Sequence, residues 1–163
     1  MNRDLFTKVI EGSASTIFRR CFFRVLSRAH AQALTQEIFL ETWARIEEQK
    51  IQIKDAQTIL HQTATDLLKR EKARRADFSL ADLPVPAFEV IDDLTHKRTG
   101  WKPSQAGVLD HLAKLNFRQR EALLLRYVEE WHPREIALAL KLPERQVISN
   151  IEQGLKKLSR WLN

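Results

Sequence analysis

Three of the five prolines in this chain of 163 residues fall between residues 76 and 104, together with one of its four glycines. Residues 1–75 contain no proline and a single glycine. Because proline and glycine interrupt helices, and the flanking stretches are rich in Leu, Ala, Arg and Glu, the sequence predicts helical blocks on both sides of an irregular connector. That connector is too long for an ordinary turn inside one compact domain. We therefore predict an all-α protein of two small domains, residues 1–75 and 105–163, joined by a flexible linker, residues 76–104.

The charges follow the same division. Residues 1–75 hold 14 Lys+Arg and 9 Asp+Glu, a net charge of +5. Residues 76–104 hold 3 Lys+Arg and 5 Asp+Glu, a net charge of −2. Residues 105–163 hold 10 Lys+Arg and 7 Asp+Glu, a net charge of +3. Two basic blocks that flank an acidic linker favour a polyanionic partner, whose binding weakens as salt rises. The same balance also fits a soluble protein of high isoelectric point, so charge alone leaves both interpretations open.

In the first block, apolar residues recur at three- and four-residue steps over residues 13–49, which is the period of a helix. A break in this helix is predicted near residues 30–33, and a further helix is predicted from a cap at Asp55 to about Arg75. The basic stripe of Arg19, Arg20, Arg24 and Arg28 is predicted to be a solvated helix face, with nucleic-acid or polymerase contact as the alternative. The predicted core contains Phe6, Phe18, Phe22, Phe23 and Phe39.

Capping signals divide the second block. A helix is predicted from Ser104 to about Leu115, and Asn116 with a glutamine three residues later resembles a capping box that opens a helix to about Val128. Pro133, after a cap at His132, suits the first position of a short helix. Pro143 is predicted at the first position of the last helix, which continues to about Trp161, a residue expected to cover the core.

The last two helices, with a tight turn over residues 141–143, predict a helix-turn-helix. The first is expected to bury Ile136, Ala137 and Leu140, and the second Val147, Ile151, Leu155 and Leu158; Ile148 is expected to pack at the core margin. At about 100° per residue, the opposite face of the last helix carries Arg145, Ser149, Gln153, Lys156 and Arg160, with Gln146 at its edge. This arrangement suits a helix that enters the major groove of DNA; the alternative is a hairpin with a merely solvated face.

The run from Leu115 to Tyr127 has the form L-x-x-R-Q-R-E-x-x-x-L-R-Y and is followed by Glu135-Ile136-Ala137. It resembles region 4, the domain that binds the promoter −35 element, of bacterial RNA polymerase sigma factors. The closest subgroup is the small extracytoplasmic-function type. The stretches 31–43 and 66–70 more weakly resemble region 2, whose helices dock on the polymerase clamp and meet the −10 element.

The resemblance implies a sigma factor that binds core RNA polymerase and promoter DNA, without cofactor, and that is held inactive by an anti-sigma factor. By resemblance, the polymerase contacts are Leu34, Gln36, Glu37 and Glu41, and the −10 contacts are Gln62, Asp66, Lys69 and Arg70. The implied −35 readers are Arg145, Gln146, Ser149, Asn150 and Gln153, with Lys156, Lys157 and Arg160 on phosphates.

The chain also departs from the family pattern. Ala33 stands where an Asp is usual, the pair Asp55-Ala56 where Trp-Leu is expected, and Gln62 near an expected Asn. Ile148 and Asn150 occupy positions that often carry Lys or Arg. These departures leave two alternatives open. One is a sigma-like decoy or adaptor that binds an anti-sigma factor or polymerase without opening promoters, and the other is an ordinary helix-turn-helix repressor or activator.

Other classes of function lack support in the sequence. The five His and the single Cys21 show no spacing typical of a zinc site. No phosphate-binding glycine loop or nucleophile motif occurs, and adjacent carboxylates diverge by about 100° on a helix. We therefore expect no metal, no cofactor and no enzymatic activity. Without an apolar stretch near the roughly 20 residues that span a bilayer, and without a signal peptide, the expected location is the cytoplasm.

Overall fold

The structure is a computed structural model that describes residues 3–25, 27–71, 111–112 and 114–162. All regular structure within these ranges is helical, which confirms the all-α class. The chain divides into two compact units. Of the described residues, the first unit holds residues 3–71 with Leu138–Lys141, and the second holds the remainder of residues 111–162. The predicted linker, the boundaries at residues 75 and 104 and the start of a helix at Ser104 lie outside the described residues and stay predictions.

Three helices build the first unit: α1 (Arg3–Val25), α2 (Arg28–Gln49) and α3 (Ala56–Arg70), with a 3-10 turn at Ile53–Asp55 before α3. The predicted break near residues 30–33 is wrong, since α2 already begins after Ser27. The Ser27 hydroxyl accepts a hydrogen bond from the His30 backbone N–H at 3.3 Å, so a serine cap rather than a glycine or proline separates α1 from α2.

The third helix begins where predicted but ends early. Asp55 precedes it in a helical backbone conformation and makes no side-chain cap bond, because the 3-10 turn already leads the chain into α3. Its last residue is Arg70 rather than Arg75, since Glu71 adopts an extended conformation. The Glu71 carbonyl then accepts a hydrogen bond from Arg24 Nε at 2.7 Å. The end of α3 is therefore tied to α1.

The aromatic core of the first unit largely follows the sequence pattern. Phe6, Phe22 and Phe23 are buried, whereas Phe18 and Phe39 are only half-buried. The Phe6 and Trp43 rings lie 5.0 Å apart between centroids, which joins the start of α1 to α2. Aromatic pairs of this kind add to the burial of apolar area.

Arg20 corrects the prediction of a solvated basic stripe. Its side chain is only 1% exposed. Arg20 Nη1 donates to the His61 carbonyl at 3.0 Å, and Nη2 donates to Thr65 Oγ1 at 2.8 Å. A buried guanidinium is tolerated only where such acceptors replace water. Arg20 is therefore an internal connection between α1 and α3, and only Arg28 of the stripe is fully exposed.

The buried imidazole of His61 lies in the same interior. Burial, and secondarily the positive charge of Arg20, lower the pKa of His61 to about 3 from an ordinary value of 6.5. The folded state therefore keeps His61 neutral at pH values where the unfolded chain takes up a proton.

This difference predicts acid sensitivity of the first unit. The contribution of neutral His61 to stability is complete above about pH 6.5 and is lost as the pH falls toward 3. Between pH 7.5 and 5, we expect a loss of about 2 kcal/mol in the free energy of unfolding. The free energy of unfolding of the first unit is measured by urea denaturation of the whole protein at both pH values. Unfolding is monitored by hydrogen exchange in the peptides that cover α1–α3. The variant His61→Gln should lack this component, and equal pH dependence in both proteins would contradict the assignment.

Three helices contribute to the second unit: α4 (Phe117–Tyr127), α5 (Pro133–Leu140) through its residues 133–137, and α6 (Glu144–Leu162). Asn116 caps α4 as predicted, since its Oδ1 accepts from the Gln119 N–H at 2.9 Å. Pro133 is the first residue of α5, and the His132 carbonyl accepts from the Ile136 N–H at 3.1 Å. Glu135 completes this start by accepting from the His132 N–H at 3.1 Å.

The turn between α5 and α6 is as tight as predicted. Lys141 takes a left-handed backbone conformation, with φ of 56°, and the Leu142 N–H donates to the Ala137 carbonyl at 3.0 Å. Pro143 is the cap of α6 rather than its first residue, because its carbonyl accepts from the Val147 N–H at 3.2 Å. The chain therefore reverses within three residues.

The interior of this hairpin differs from the prediction in two places. Buried as predicted are Ile136, Leu140, Val147, Ile151 and Leu158. Ala137 and Leu155, however, are only half-buried, and Ala139 is buried instead of Ala137. Trp161 stacks on His111 with ring centroids 5.7 Å apart, close to the predicted covering position.

Candidate nucleic-acid interface

The polar face of α6 is on the surface, as its periodicity predicts. Its four buried residues, Val147, Ile151, Gly154 and Leu158, share the inner face. Of the eight residues predicted to contact DNA, six are exposed and two, Asn150 and Lys157, are half-buried. The exposed six are Arg145, Gln146, Ser149, Gln153, Lys156 and Arg160. The structure therefore brings the whole predicted set onto one helix.

Side-chain chemistry changes along this face. Amide and hydroxyl groups occupy the first half of α6 together with Arg145, whereas Lys156, Lys157 and Arg160 occupy the second half. The Asn150 side chain bonds its own helix, since Nδ2 donates to the Gln146 carbonyl at 2.8 Å. One amide hydrogen and the amide oxygen of Asn150 therefore remain for external partners.

Gln119 of α4 joins this surface from behind, although the sequence pattern does not single it out. Its Nε2 donates to Gln153 Oε1 at 3.3 Å, and its Oε1 accepts from Lys157 Nζ at 3.1 Å. Gln153 Nε2 in turn donates to Ser149 Oγ at 3.3 Å. The capping-box pattern expects the Gln119 side chain to fold back on the start of α4. It instead contacts α6, which only the tertiary packing reveals.

Gly154 of α6 is a point of close approach to α4. Gly12, the other described glycine, has no neighbouring atom within 4 Å of the position of an added Cβ. A Cβ placed there would lie 2.8 Å from Leu123 Cδ1 and 3.6 Å from Gln119 Cβ. Contacts below 3.0 Å force a neighbouring group to move. The sequence pattern suggests Ala137 as the small residue at a close helix crossing. Of the described glycines, Gly154 is the one that has a neighbouring helix in close contact.

This contact predicts the effect of a larger side chain. Gly154→Val should overpack the contact between α4 and α6 and destabilise the second unit by about 1–3 kcal/mol. For a unit of this size, such a loss lowers the melting temperature by several degrees, at about 4–8 °C per kcal/mol. Thermal unfolding followed by circular dichroism measures it. Glu152→Val, on the exposed side of α6, is the matched control, and an equal loss in both variants would refute the packing argument.

Ile148 corrects a further prediction. Expected to pack at the core margin, it is 42% exposed. It lines a groove of about 540 Å³ together with Tyr127, Pro133, Leu155 and Lys156. The angular position of Ile148, about 100° from Val147, places it at the edge of the helix contact. The groove explains why Leu155 is only half-buried.

On α2, the residues predicted for polymerase contact separate into two environments. Gln36, Glu37 and Glu41 are exposed, whereas Leu34 is 3% exposed and belongs to the interior. Leu40 lies on the same exposed face and is 72% exposed, the largest value among the exposed large hydrophobic residues described. The sequence pattern did not distinguish Leu40 from core leucines.

The predicted −10 residues lie on α3. Lys69 and Arg70 are exposed, and Gln62 and Asp66 are half-buried. Asp66 Oδ2 accepts from Arg45 Nη1 at 2.8 Å, and Arg45 Nε donates to Glu41 Oε1 at 3.1 Å. The hydrogen bond to Asp66, the strongest effect, raises the pKa of Arg45 despite partial burial. Arg45 therefore connects the exposed acidic face of α2 to α3.

No group of three or more His, Cys, Asp or Glu side chains in the described residues is arranged to hold a metal ion. Among the described helices, none combines the length and the apolar character that crossing a bilayer requires.

A short helix, a tight turn and a longer helix with an exposed polar and cationic face define the helix-turn-helix class of DNA-binding domains. Residues 107–158 match the family model described as Sigma-70, region 4. The whole chain is similar to the ECF RNA polymerase sigma factor BldN of Streptomyces coelicolor, with 26% identity over 168 residues, 98% of this chain and 61% of the relative. It is also similar to the ECF RNA polymerase sigma factor SigW of Bacillus subtilis, with 26% identity over 172 residues, 99% of this chain and 90% of the relative.

The chain is thus similar to sigma factors of the extracytoplasmic-function type, and its residues 107–158 are similar to sigma-70 region 4. The chain spans less than two thirds of the length of BldN.

Proposed function

We propose that this protein binds core RNA polymerase and directs transcription initiation at specific promoters. The exposed face of α6 carries this proposal, because eight polar or cationic residues share it while the opposite face anchors the helix in a hydrophobic core. The similarity to two ECF RNA polymerase sigma factors supports the same function. This function requires binding without covalent chemistry or a cofactor, and it implies a cytoplasmic location.

The proposed DNA contacts divide along α6. Residues 145–153 extend about 12 Å at a rise of 1.5 Å per residue, which matches the roughly 12 Å width of the major groove. We assign base contacts to Arg145, Gln146, Ser149, Asn150 and Gln153, and phosphate contacts to Lys156, Lys157 and Arg160. Phosphate contacts fix the register of the helix, and base contacts supply the sequence preference.

This division predicts two different mutant phenotypes. Arg145→Ala should cost about 1–3 kcal/mol at one base position if the guanidinium contacts a base edge. Lys156→Ala should weaken binding to all DNA sequences alike. It should also reduce the magnitude of the salt dependence of binding by about one charge. Binding titrations of the polymerase complex on −35 variants at several salt concentrations measure both. Unchanged base preference in Arg145→Ala, or a sequence-dependent loss in Lys156→Ala, would exclude the corresponding role.

We assign polymerase binding to the exposed face of α2, formed by Gln36, Glu37, Leu40 and Glu41. Leu40 supplies apolar area that binding would remove from water, and the acidic residues around it supply charge complementarity for a basic partner surface. Leu34 supports this surface from the interior rather than by contact. The proposed −10 contacts are Gln62, Asp66, Lys69 and Arg70, which recur at three- and four-residue steps along α3.

The α2 surface is tested by changing its charge and its apolar centre separately. Glu37→Lys and Leu40→Ser should each weaken capture of core polymerase by about tenfold or more, about 1.4 kcal/mol. Neither change touches α6, so promoter −35 preference should remain in any complex that still forms. Glu11→Lys, on an exposed position of α1, is the control for charge alone. Normal polymerase capture by both α2 variants would refute the assignment.

An anti-sigma factor is a further proposed partner, because sigma factors of the type that the chain resembles are commonly held inactive by one. Run-off transcription with purified core polymerase on fragmented genomic DNA tests the whole proposal, and transcripts that depend on this protein support it. Polymerase capture without transcripts from any template would favour the decoy or adaptor instead. Co-purification from cells identifies whether polymerase or a small inhibitor accompanies the protein.

A further inference from the structure

Gln119 uses both ends of its amide on the candidate DNA-binding helix. Its side chain is only 2% exposed, and it bonds residues of α6 spaced four apart. Lys157 Nζ donates to Gln119 Oε1 at 3.1 Å, Gln119 Nε2 donates to Gln153 Oε1 at 3.3 Å, and Gln153 Nε2 donates to Ser149 Oγ at 3.3 Å. The four side chains thus form one continuous chain of hydrogen bonds from the back of α6 to its exposed face.

The direction of this chain is fixed by lysine chemistry. An ammonium group donates but never accepts, so the atom of Gln119 that faces Lys157 must be its oxygen. The nitrogen of Gln119 must then face Gln153, and the atom of Gln153 that meets it must be an oxygen. Gln153 is left with its amide nitrogen directed along the exposed face. Its hydrogen-bonding sense therefore follows from Lys157 and does not depend on which way the amide is drawn.

We propose that Gln119 is a positioning residue that makes Gln153 a hydrogen-bond donor toward DNA, an inference that rests on the proposed promoter binding. A free glutamine pairs with adenine through its oxygen and nitrogen together. Here the oxygen of Gln153 already accepts from the buried Gln119 side chain, which directs that oxygen toward α4 rather than toward the DNA. The remaining amide hydrogen matches the keto oxygen of guanine or thymine, whereas the amino group of adenine or cytosine opposes it with a second donor, and adenine offers only its N7 as an acceptor beside that group. Gln153 therefore selects a keto base at its contact position.

Replacing Gln119 by glutamate should reverse this preference. A carboxylate at residue 119 still accepts from Lys157 but has no proton for Gln153. The Gln153 amide then turns its nitrogen toward residue 119 and its oxygen toward the DNA, which favours an amino base. Gln119→Met keeps similar volume but removes both bonds, so it should relax the preference without reversing it.

The experiment uses the full chain assembled with core RNA polymerase, and duplex DNA with a randomised −35 segment as the probe. Gln153→Ala first identifies the base position that Gln153 contacts, as the position whose preference relaxes. Duplexes that carry each of the four base pairs there are then titrated with wild type, Gln119→Glu and Gln119→Met. We expect about tenfold discrimination for keto over amino bases in the wild type, a reversed preference in Gln119→Glu, and little preference in Gln119→Met.

The outcomes separate this inference from the function on which it depends. A wild-type complex that selects no sequence contradicts the proposed promoter binding. A wild-type complex that selects sites refutes the positioning role in three cases: the Gln153 position prefers adenine or cytosine, Gln153→Ala relaxes no position, or Gln119→Glu weakens every duplex equally. Equal weakening is what a purely structural role produces. Gln119→Met keeps the test decisive if the glutamate variant does not fold.

Discussion

The close contact between α4 and α6 at Gly154 determines what the second unit presents to its surroundings. Since no Cβ intervenes, Leu123 and Gln119 reach the surface of α6 directly. The same contact fixes the rotation of α6 about its axis, because Val147, Ile151 and Leu158 must face inward when Gly154 does. The exposed face is therefore a consequence of the buried one. If α6 were shifted along its axis by one turn relative to α4, its apolar residues would still face inward. The hydrogen bonds of Gln119 to Gln153 and Lys157 would then be lost.

The first unit uses polar groups in its interior for a related purpose. Arg20 occupies two acceptors of α3, and Arg45 joins α2 to α3 through Asp66. Buried polar groups of this kind cost free energy whenever the partner shifts, so they favour one arrangement of the helices over others of similar hydrophobic burial. That specificity matters for the surface on α2, because an α2 rotated about its axis would no longer present Leu40 in the same place.

The sequence predicts those features that local chemistry determines. The sequence predicts Asn116, Pro133 and the turn before α6 to within one residue, because caps and turns depend on a few adjacent groups. The break between α1 and α2 was missed, since Ser27 caps α2 without any glycine or proline to mark it. Periodicity shows how wide the apolar stripe on a helix is, but not which residue lies at its centre. For this reason the sequence does not show that Arg20 and Leu34 are buried and that Leu40 is exposed. The hydrogen bonds of Gln119 reach Gln153 and Lys157, which lie 34 and 38 positions further along the chain. No local sequence pattern contains such distant partners.

The charge of α6 argues that its DNA contacts work together with a second binding surface. Arg145, Lys156, Lys157 and Arg160 are its four cations, and Glu144 and Glu152 on the same helix oppose them. The three phosphate contacts proposed for Lys156, Lys157 and Arg160 correspond to a salt slope of about −2.7 on duplex DNA, well below that of proteins that hold DNA by charge alone. Weak general attraction leaves the base contacts to decide where the helix rests. A recognition helix of this kind suits a protein that a larger partner brings to DNA, and the exposed face of α2 is the surface that we propose for that attachment.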